Sequence, residues 1–276
     1  MAHLPADVPD FLKSADAKRE IVYLQAEEDR LKIGEDQEQA WAREWNTDHY
    51  IDIGDDGKIG GAVAIGSLPA TRDDFIEALV KASPPVDPYD VGFLPYSILE
   101  GYEQVRSDFA LWRSASPADR PERERLVIHD IGIFSHFVGD GSQPLHVTIH
   151  YNGWGRYPNP NGYTDSRDTH AEFESDFVDK FVTVDAVQPL VGPARVLSTV
   201  PLSEIEQYLE ATDAQVVPLY DLQKAGGFVL TDSTSAVHQK AVAFTAARIA
   251  AAATMLDSLI ETAWQTSATL KDSGGD

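Results

Sequence analysis

The chain has 276 residues, of which 43% are hydrophobic and 24% charged, a composition typical of soluble globular proteins. Its 22 lysines and arginines against 45 aspartates and glutamates give a net charge of −23, which disfavours a nucleic-acid-binding protein that relies on Lys and Arg contacts to phosphate. The charge does not exclude an enzyme that meets phosphate through bound metal ions. Because the chain has no cysteine, disulfides, thiolate chemistry and cysteine-based zinc sites are excluded.

Helical patterns dominate along the chain. The expected elements, in order, are a short helix and a turn before a helix over about 17–31, a turn-rich segment at 52–61, helices over 75–81 and 96–114, a long helix that begins near 116 and ends at Gly141-Ser-Gln-Pro, a loop over 152–164, a helix over 168–182, and closing helices over 203–223 and 235–267. The stretch 126–139 is apolar on nearly every face, as expected of a helix in the middle of a bundle.

No internal repeat or long linker divides the chain, and period-2 alternation is scarce. The prediction is therefore an all-α protein, a single multi-helix domain over 1–276 with a metal site between core helices. The first residues, MAHLPADVPDF, show no signal peptide, and no apolar run reaches the roughly 18 residues of a membrane-spanning helix. The nearest candidate, 241–256, contains Arg248 and is predicted to be a core helix.

Three patches place histidine and carboxylate side chains at spacings that suit a metal ion. His136 and Asp140 are four residues apart on the long apolar helix and so lie on one face, and His170 and Glu174 repeat that spacing. His146 lies between the two pairs, beyond a Gly-Pro break, in the turn QPLH. A third patch lies near the amino terminus, and the complete predicted set is Asp29, His49, His136, Asp140, His146, His170 and Glu174.

Imidazole and carboxylate ligands without thiolate suit zinc or another first-row divalent ion. A lone histidine on an apolar helix is more often a hydrogen-bonded core residue, and the combination of several such residues is what favours a site. The acidic helix end Glu27-Glu28-Asp29 can also be interpreted as an ordinary solvent-exposed face without a metal-binding role. The aromatic residues are candidates for lining a substrate cleft, with core packing as the alternative: Trp41, Trp45, Tyr50, Trp154 and Tyr157.

The remaining histidines are assigned no ligand role. His129, two turns before His136, is expected to be structural or to support a ligand. His150 and His238 have no carboxylate at ligand spacing and are expected to face solvent or to support ligands. His3 belongs to a terminus that is expected to be frayed.

The motifs HFVGDGSQPLH and HAEFE resemble those of the trinuclear-zinc phosphoesterases, the superfamily of bacterial zinc-dependent phospholipase C and the fungal single-strand-specific nucleases. In that superfamily an H-x-x-x-D pair, a QPxH turn and a later H-x-x-x-E or H-x-x-x-D pair supply metal ligands from an all-helical domain. The spacing of Asp29 from the HYID segment is similar too. The resemblance covers roughly residues 5–180 by motif and 200–265 only in helical character.

This resemblance implies two zinc sites with open positions for water and substrate. The first zinc would be held by Asp29, His49, His136 and Asp140, and the second by His146, His170 and Glu174. A third zinc of the family uses an amino-terminal Trp, a nearby His and the Asp that matches Asp140. No Trp-Gly…Gly-His segment precedes HLPADVPDFL, so we expect that the chain either lacks the family's amino-terminal segment or works with two metals, and His3 lies too close to the start of that stretch to substitute.

The two branches of the superfamily both stay open. HAEFE resembles the phospholipase C branch, and the Gly-Gly-Asn loop and NLHxxWD-like element of the nucleases are absent from the sequence. In contrast, HYIDIG and QPLH resemble the nuclease branch. The lack of cysteine fits the bacterial members better than the disulfide-bearing fungal ones. Members of the superfamily are usually exported, which implies a secreted or periplasmic protein.

The resemblance predicts that a hydroxide bridging two divalent ions hydrolyses a phosphodiester, either a phospholipid or a single-stranded nucleic acid, without a stable nucleic-acid complex. Asp29 is expected to orient or deprotonate the water while ligating, and Asn152 with the loop 153–164 to form the rim of the cleft. The alternatives are a single-strand nuclease or nucleotidase of the same superfamily, a non-catalytic helical protein that stores zinc or holds it structurally, and a folded but inactive truncated domain.

Overall fold

The computed structural model describes residues 4, 7–33, 39–198, 201–231 and 234–270, without the side chains of 39–42. The predicted all-α class is confirmed, since the chain is 63% helical and its described part has a single sheet, the two-stranded antiparallel pair β1 (Lys58–Ile59) and β2 (Val63–Ala64). His3 lies outside the described residues, as does the side chain of Trp41.

The helices vary widely in length. The α-helices are α1 (Ala15–Leu24), α2 (Glu27–Arg30), α3 (Gln39–Asn46), α4 (Arg72–Val80), α5 (Leu94–Ser114), α6 (Arg120–Asp140), α7 (Thr169–Ala171), α8 (Val178–Phe181), α9 (Val184–Val187), α10 (Pro201–Asp213), α11 (Val216–Lys224) and α12 (Ala236–Ser267). A π-helix, Glu172–Phe177, joins α7 to α8. Short 3-10 helices lie at Asp10–Lys13, Thr47–His49, Ile65–Ser67, Pro88–Asp90, Pro144–His146 and Gln188–Leu190.

Helix α6 lies in the middle of the bundle, as its apolar sequence predicts. It packs against α1, α5 and α12, and many of its residues are buried. Apart from the main hydrophobic core around α6, a separate buried cluster lies beneath the segment 144–177, where Trp154, Phe173 and Phe177 pack with Tyr220 of α11. The main core thus supports α6, which carries His136 and Asp140, and the separate cluster supports the segment with His146, His170 and Glu174.

Helix α12 packs on α5 and α6, in agreement with the predicted core helix at 241–256. By length and composition it is also long and apolar enough to cross a membrane, with a mean hydropathy of 1.3 in its most apolar window, 44% of which is buried. This is weak evidence for a membrane span, because a core helix of a soluble protein passes the same test.

Several predicted helices prove to be interrupted. The helix expected over 17–31 is two helices, because the chain turns between α1 and α2. The helix expected over 203–223 is likewise divided into α10 and α11, and 168–182 contains the π-helix. In contrast, the last helix begins one residue after Ser235, whose Oγ accepts a hydrogen bond from the His238 backbone, and so nearly coincides with the prediction.

Candidate metal centre

The predicted ligands come from short elements as well as from the long core helix. His136 and Asp140 lie on α6, in agreement with a site on a core helix. The others do not: Asp29 is on the four-residue α2, His49 and His146 end 3-10 turns, and His170 and Glu174 lie on α7 and the π-helix. Two of the predicted ligands therefore lie on a core helix, and the others lie on short helices and turns outside it.

The first group of ligands, which we call the first triad, consists of Asp29, His49 and His136, whose ligand atoms lie within 4.8 Å of one another. His136 Nδ1 donates a hydrogen bond to the Gln25 carbonyl at 2.8 Å, so that its Nε2 points a lone pair into the group. This Nε2 is 3.0 Å from His49 Nδ1 and 3.7 Å from Asp29 Oδ1. Both imidazoles are buried, whereas the Asp29 side chain is half exposed and pairs with Lys32 at 2.7 Å.

The second triad consists of His146, His170 and Glu174. His146 Nδ1 donates to the His49 carbonyl at 2.6 Å and His170 Nδ1 donates to the Tyr151 carbonyl at 3.1 Å. The two Nε2 atoms face each other at 3.2 Å, and Glu174 Oε2 lies 3.0 Å from the first and 2.8 Å from the second. Gln143 Nε2 also donates to Glu174 Oε2, at 2.9 Å, and so fixes the carboxylate.

Asp140 links the two triads. Its Oδ2 is 3.1 Å from His49 Nδ1 and 3.4 Å from His136 Nε2, and its charge also acts on His146. Burial alone would raise the pKa of Asp140, but the neighbouring His146 and His136 rings outweigh it and the pKa is lowered. The carboxylate is therefore ionised at neutral pH, contacts the first triad and acts on the second through its charge.

The same balance of burial and charge acts on the other ligands. Burial lowers the pKa of His49 despite the nearby Asp140. For His146, burial is outweighed by Asp140 and Glu174, which raise its pKa to about 9. The pKa of Glu174 is lowered, because His146 and His170 outweigh its burial. Without a metal the second triad thus holds a proton on His146, and a bound cation would displace that proton.

Both triads fit a divalent cation. Three of the four imidazoles donate one nitrogen to a backbone carbonyl and direct the other at the group, which is how metal-binding histidines are fixed. Imidazole nitrogens and carboxylate oxygens that converge in this way are stabilised by a positive charge between them, which either a proton or a metal ion can supply. The nitrogen and oxygen donor set, without sulfur, suits zinc or a neighbouring first-row ion. The residues thus form two groups that can each bind a metal ion.

A cavity of about 550 Å³ opens on both groups, since His49, His146 and His170 lie in its wall. A second cavity of about 870 Å³ adjoins it, and Asn152 lines both, as expected for the rim of a cleft. Parts of the loop 153–164 line the outer cavity. The ligands are therefore reachable by a molecule larger than water.

Of the aromatic candidates, Tyr50 lines both cavities and Tyr157 lines the outer one. Trp154 is instead a core residue, 6% exposed. Trp45 is half-buried and its indole donates to the Glu28 carbonyl at 3.1 Å. The core-packing alternative thus describes Trp154, and the cleft interpretation describes the two tyrosines.

The interpretation of His150 and His238 as solvent-facing is wrong. His150 is 2% exposed and does have a carboxylate partner, since its Nε2 is 3.0 Å from Asp55 Oδ1. His238 is fully buried against Phe177 and Phe181, and neither ring nitrogen has a hydrogen-bond partner in the described part of the chain. His129 is exposed and pairs with the neighbouring Asp130, outside both triads.

Sequence reasoning also missed two buried carboxyl groups beside the triads. Glu28, whose acidic neighbourhood suggested a solvated face, is 5% exposed, and burial raises its pKa although His136 lies nearby. Asp52 lines both cavities, and burial together with Asp90 raises its pKa to about 7. Asp52 lies three residues after His49 in HYID, and this proximity was the available signal.

No family model matches the chain, and no curated protein matches it.

Proposed function

We propose that the chain is a zinc-dependent hydrolase of phosphodiesters, of the kind that its motifs resemble. The observation that carries the proposal is the presence of two His–carboxylate triads, the first of them in contact with Asp140, with three of their imidazoles in the wall of one cavity. Structural zinc sites are closed by four protein ligands, whereas the second triad has three and two of them line a cavity.

Two divalent ions held by these residues would supply Lewis acidity and a water of lowered pKa. The chain's own residues would fix the geometry. Asp140 would complete the first group, which it contacts through His49 and His136, and Gln143 orients Glu174 in the second. Asp29, half exposed and held by Lys32, is the carboxylate that we assign to orient or deprotonate the attacking water.

Metal analysis tests the site, and we expect two zinc ions per chain in the purified protein. His146→Ala should lose about one zinc ion and abolish hydrolysis of bis(p-nitrophenyl) phosphate, because the second triad is left with two ligands. His129→Ala is the matched control, since this exposed histidine lies outside both triads, and it should keep the zinc and the activity of the parent chain. Unchanged turnover in His146→Ala would contradict the proposed mechanism.

A panel of substrates separates the two branches of the superfamily. A choline phospholipid should be preferred if the chain is a phospholipase C, and single-stranded DNA or RNA if it is a nuclease. A nucleoside monophosphate tests for nucleotidase activity. A chain that binds two zinc ions and hydrolyses none of these would instead support zinc storage or a structural role.

A further inference from the structure

We propose that His150 and Asp55 form a positioning pair that fixes the ring of His170 in the second triad. The inference rests on the proposed function in taking that triad to be a metal site. Neither residue touches the triad directly. They act through the backbone that carries the hydrogen-bond acceptor of His170.

His150 is held rigidly at several points. Its Nδ1 donates to the Trp154 carbonyl at 2.9 Å, its Nε2 is 3.0 Å from Asp55 Oδ1, and its ring stacks on Trp154 at 3.7 Å with an interplanar angle of 14°. The carbonyl of His150 accepts a hydrogen bond from the Tyr220 hydroxyl at 2.5 Å. The position of this residue is therefore fixed on both its side chain and its main chain.

The residues that follow His150 orient His170. The Tyr151 carbonyl accepts the hydrogen bond from His170 Nδ1, and Asn152 Oδ1 accepts one from the His170 backbone at 3.4 Å. A shift of His150 would move the Tyr151 carbonyl, and the His170 ring would turn with it. Such supporting groups commonly change metal affinity by about 10–100-fold.

Asp55 anchors the same region from the neighbouring segment 49–55. The Ile51 backbone donates to the His146 carbonyl at 2.8 Å, and the Ile149 backbone donates to the Ile53 carbonyl at 3.1 Å, so the segments 49–55 and 146–150 run side by side. The Asp55–His150 contact closes the far end of this pairing. Because the Asp55 side chain is 62% exposed, its contribution is this polar link and not the filling of the core.

Asp55→Ala tests the inference without creating a buried cavity. We expect zinc in the second triad to bind about tenfold more weakly, measured by competition with a chromogenic chelator, and zinc in the first triad to bind as in the parent chain. The ion of the second triad is identified as the one lost in His170→Ala. Asp56→Ala is the matched control, because it removes the same charge from the adjacent exposed position, where the carboxylate contacts the Lys58 backbone and not His150.

A second variant addresses the imidazole. His150→Phe retains a ring on Trp154 but loses both nitrogen contacts, and it should show the same selective loss. The double variant should lose no more than about either single variant, since the two residues act as one unit. Equal weakening of both zinc ions together with a lower melting temperature would indicate a general structural role and overturn the inference.

The outcomes separate this inference from the proposed function. Two bound zinc ions with unchanged affinity in Asp55→Ala would overturn the positioning role alone. Two zinc ions, selective weakening in Asp55→Ala and no hydrolysis would overturn the phosphodiesterase proposal and leave the positioning role intact. A parent chain that binds no zinc would overturn both.

Discussion

Asp108 is a carboxyl group on α5 that is only 4% exposed and faces Asp130 on α6. The Gln104 side-chain amide donates to both carboxyl groups, at 3.3 Å each. Burial, together with the hydrogen bond and charge of Asp130, raises the pKa of Asp108 to about 7. A negative charge on Asp108 is therefore unfavourable in this buried position beside a second carboxyl group.

This arrangement makes the helix pair sensitive to pH. Because the folded-state pKa of Asp108 lies above its ordinary value of 3.8, the folded state holds the proton more tightly, and stability falls as the pH rises from about 4 through 7. Asp108→Asn should therefore increase the free energy of unfolding by about 1–3 kcal/mol at pH 8.5 and by less at pH 5, measured by urea denaturation. Glu103→Gln, an exposed position on the same helix, should change neither value. A gain in Asp108→Asn of the same size at both pH values would contradict the assignment.

At this scale the sequence reveals partners that are close along the chain and hides those that are distant. His136 with Asp140, and His170 with Glu174, are recognisable from the i, i+4 spacing alone. Asp55 and His150 are 95 residues apart, so no local spacing indicates their contact. The same holds for burial of Glu28, which depends on how the chain turns back between α1 and α2.

Among the helices, the contact of α1 with α6 determines where the first triad forms. A Cβ added at Gly132 of α6 would lie 2.5 Å from the Leu24 Cβ, so only glycine permits this approach. The next residue, Gln25, supplies the carbonyl that orients His136. Close packing of the two helices is therefore linked to the direction of a metal ligand.

Gly132→Ala should separate α1 from α6. We expect a loss of about 1–3 kcal/mol in the free energy of unfolding, because overpacking forces the helices apart. The affinity for zinc should fall more in the first triad than in the second. Gly139→Ala is the control on the same helix, since a Cβ there meets no atom within 4 Å and removing a helical glycine should stabilise by roughly 0.5–1 kcal/mol. Thermal unfolding and zinc competition measure both effects. If the two variants behaved alike, the packing argument would fail.

The long helices were predictable because their patterns persist over many residues. α5, α6 and α12 follow the predictions to within a few residues of each boundary, apart from the start of α6. The short elements that carry most ligands were not resolved, since α2 and α7 lie inside longer predicted helices and the 3-10 turns are too short to show a period. The sequence thus indicated which histidines and carboxylates come together, but not the elements on which they lie.

For the whole molecule, the net charge of −23 and the carboxylates of the two triads both favour the binding of cations. Like charges repel within the folded chain, and the excess of carboxylates over basic groups makes this repulsion unfavourable for the whole molecule. A divalent cation in each triad would reduce this repulsion and bind the folded state in preference to the unfolded one. Metal content and stability should therefore be linked.

Removal of metal tests this link. Free zinc at about 100 times its dissociation constant stabilises a single site by about 2.7 kcal/mol, and a chain of this size gains about 2–4 °C in melting temperature per kcal/mol. We therefore expect EDTA to lower the melting temperature by several degrees and added zinc to restore it, measured by differential scanning calorimetry. Magnesium should not replace zinc, because it prefers oxygen ligands and the triads present mainly imidazole nitrogen. His146→Ala should retain only part of the zinc-dependent change in melting temperature, from the intact first triad. A melting temperature independent of both chelator and zinc would show that the triads do not hold a metal in the folded protein.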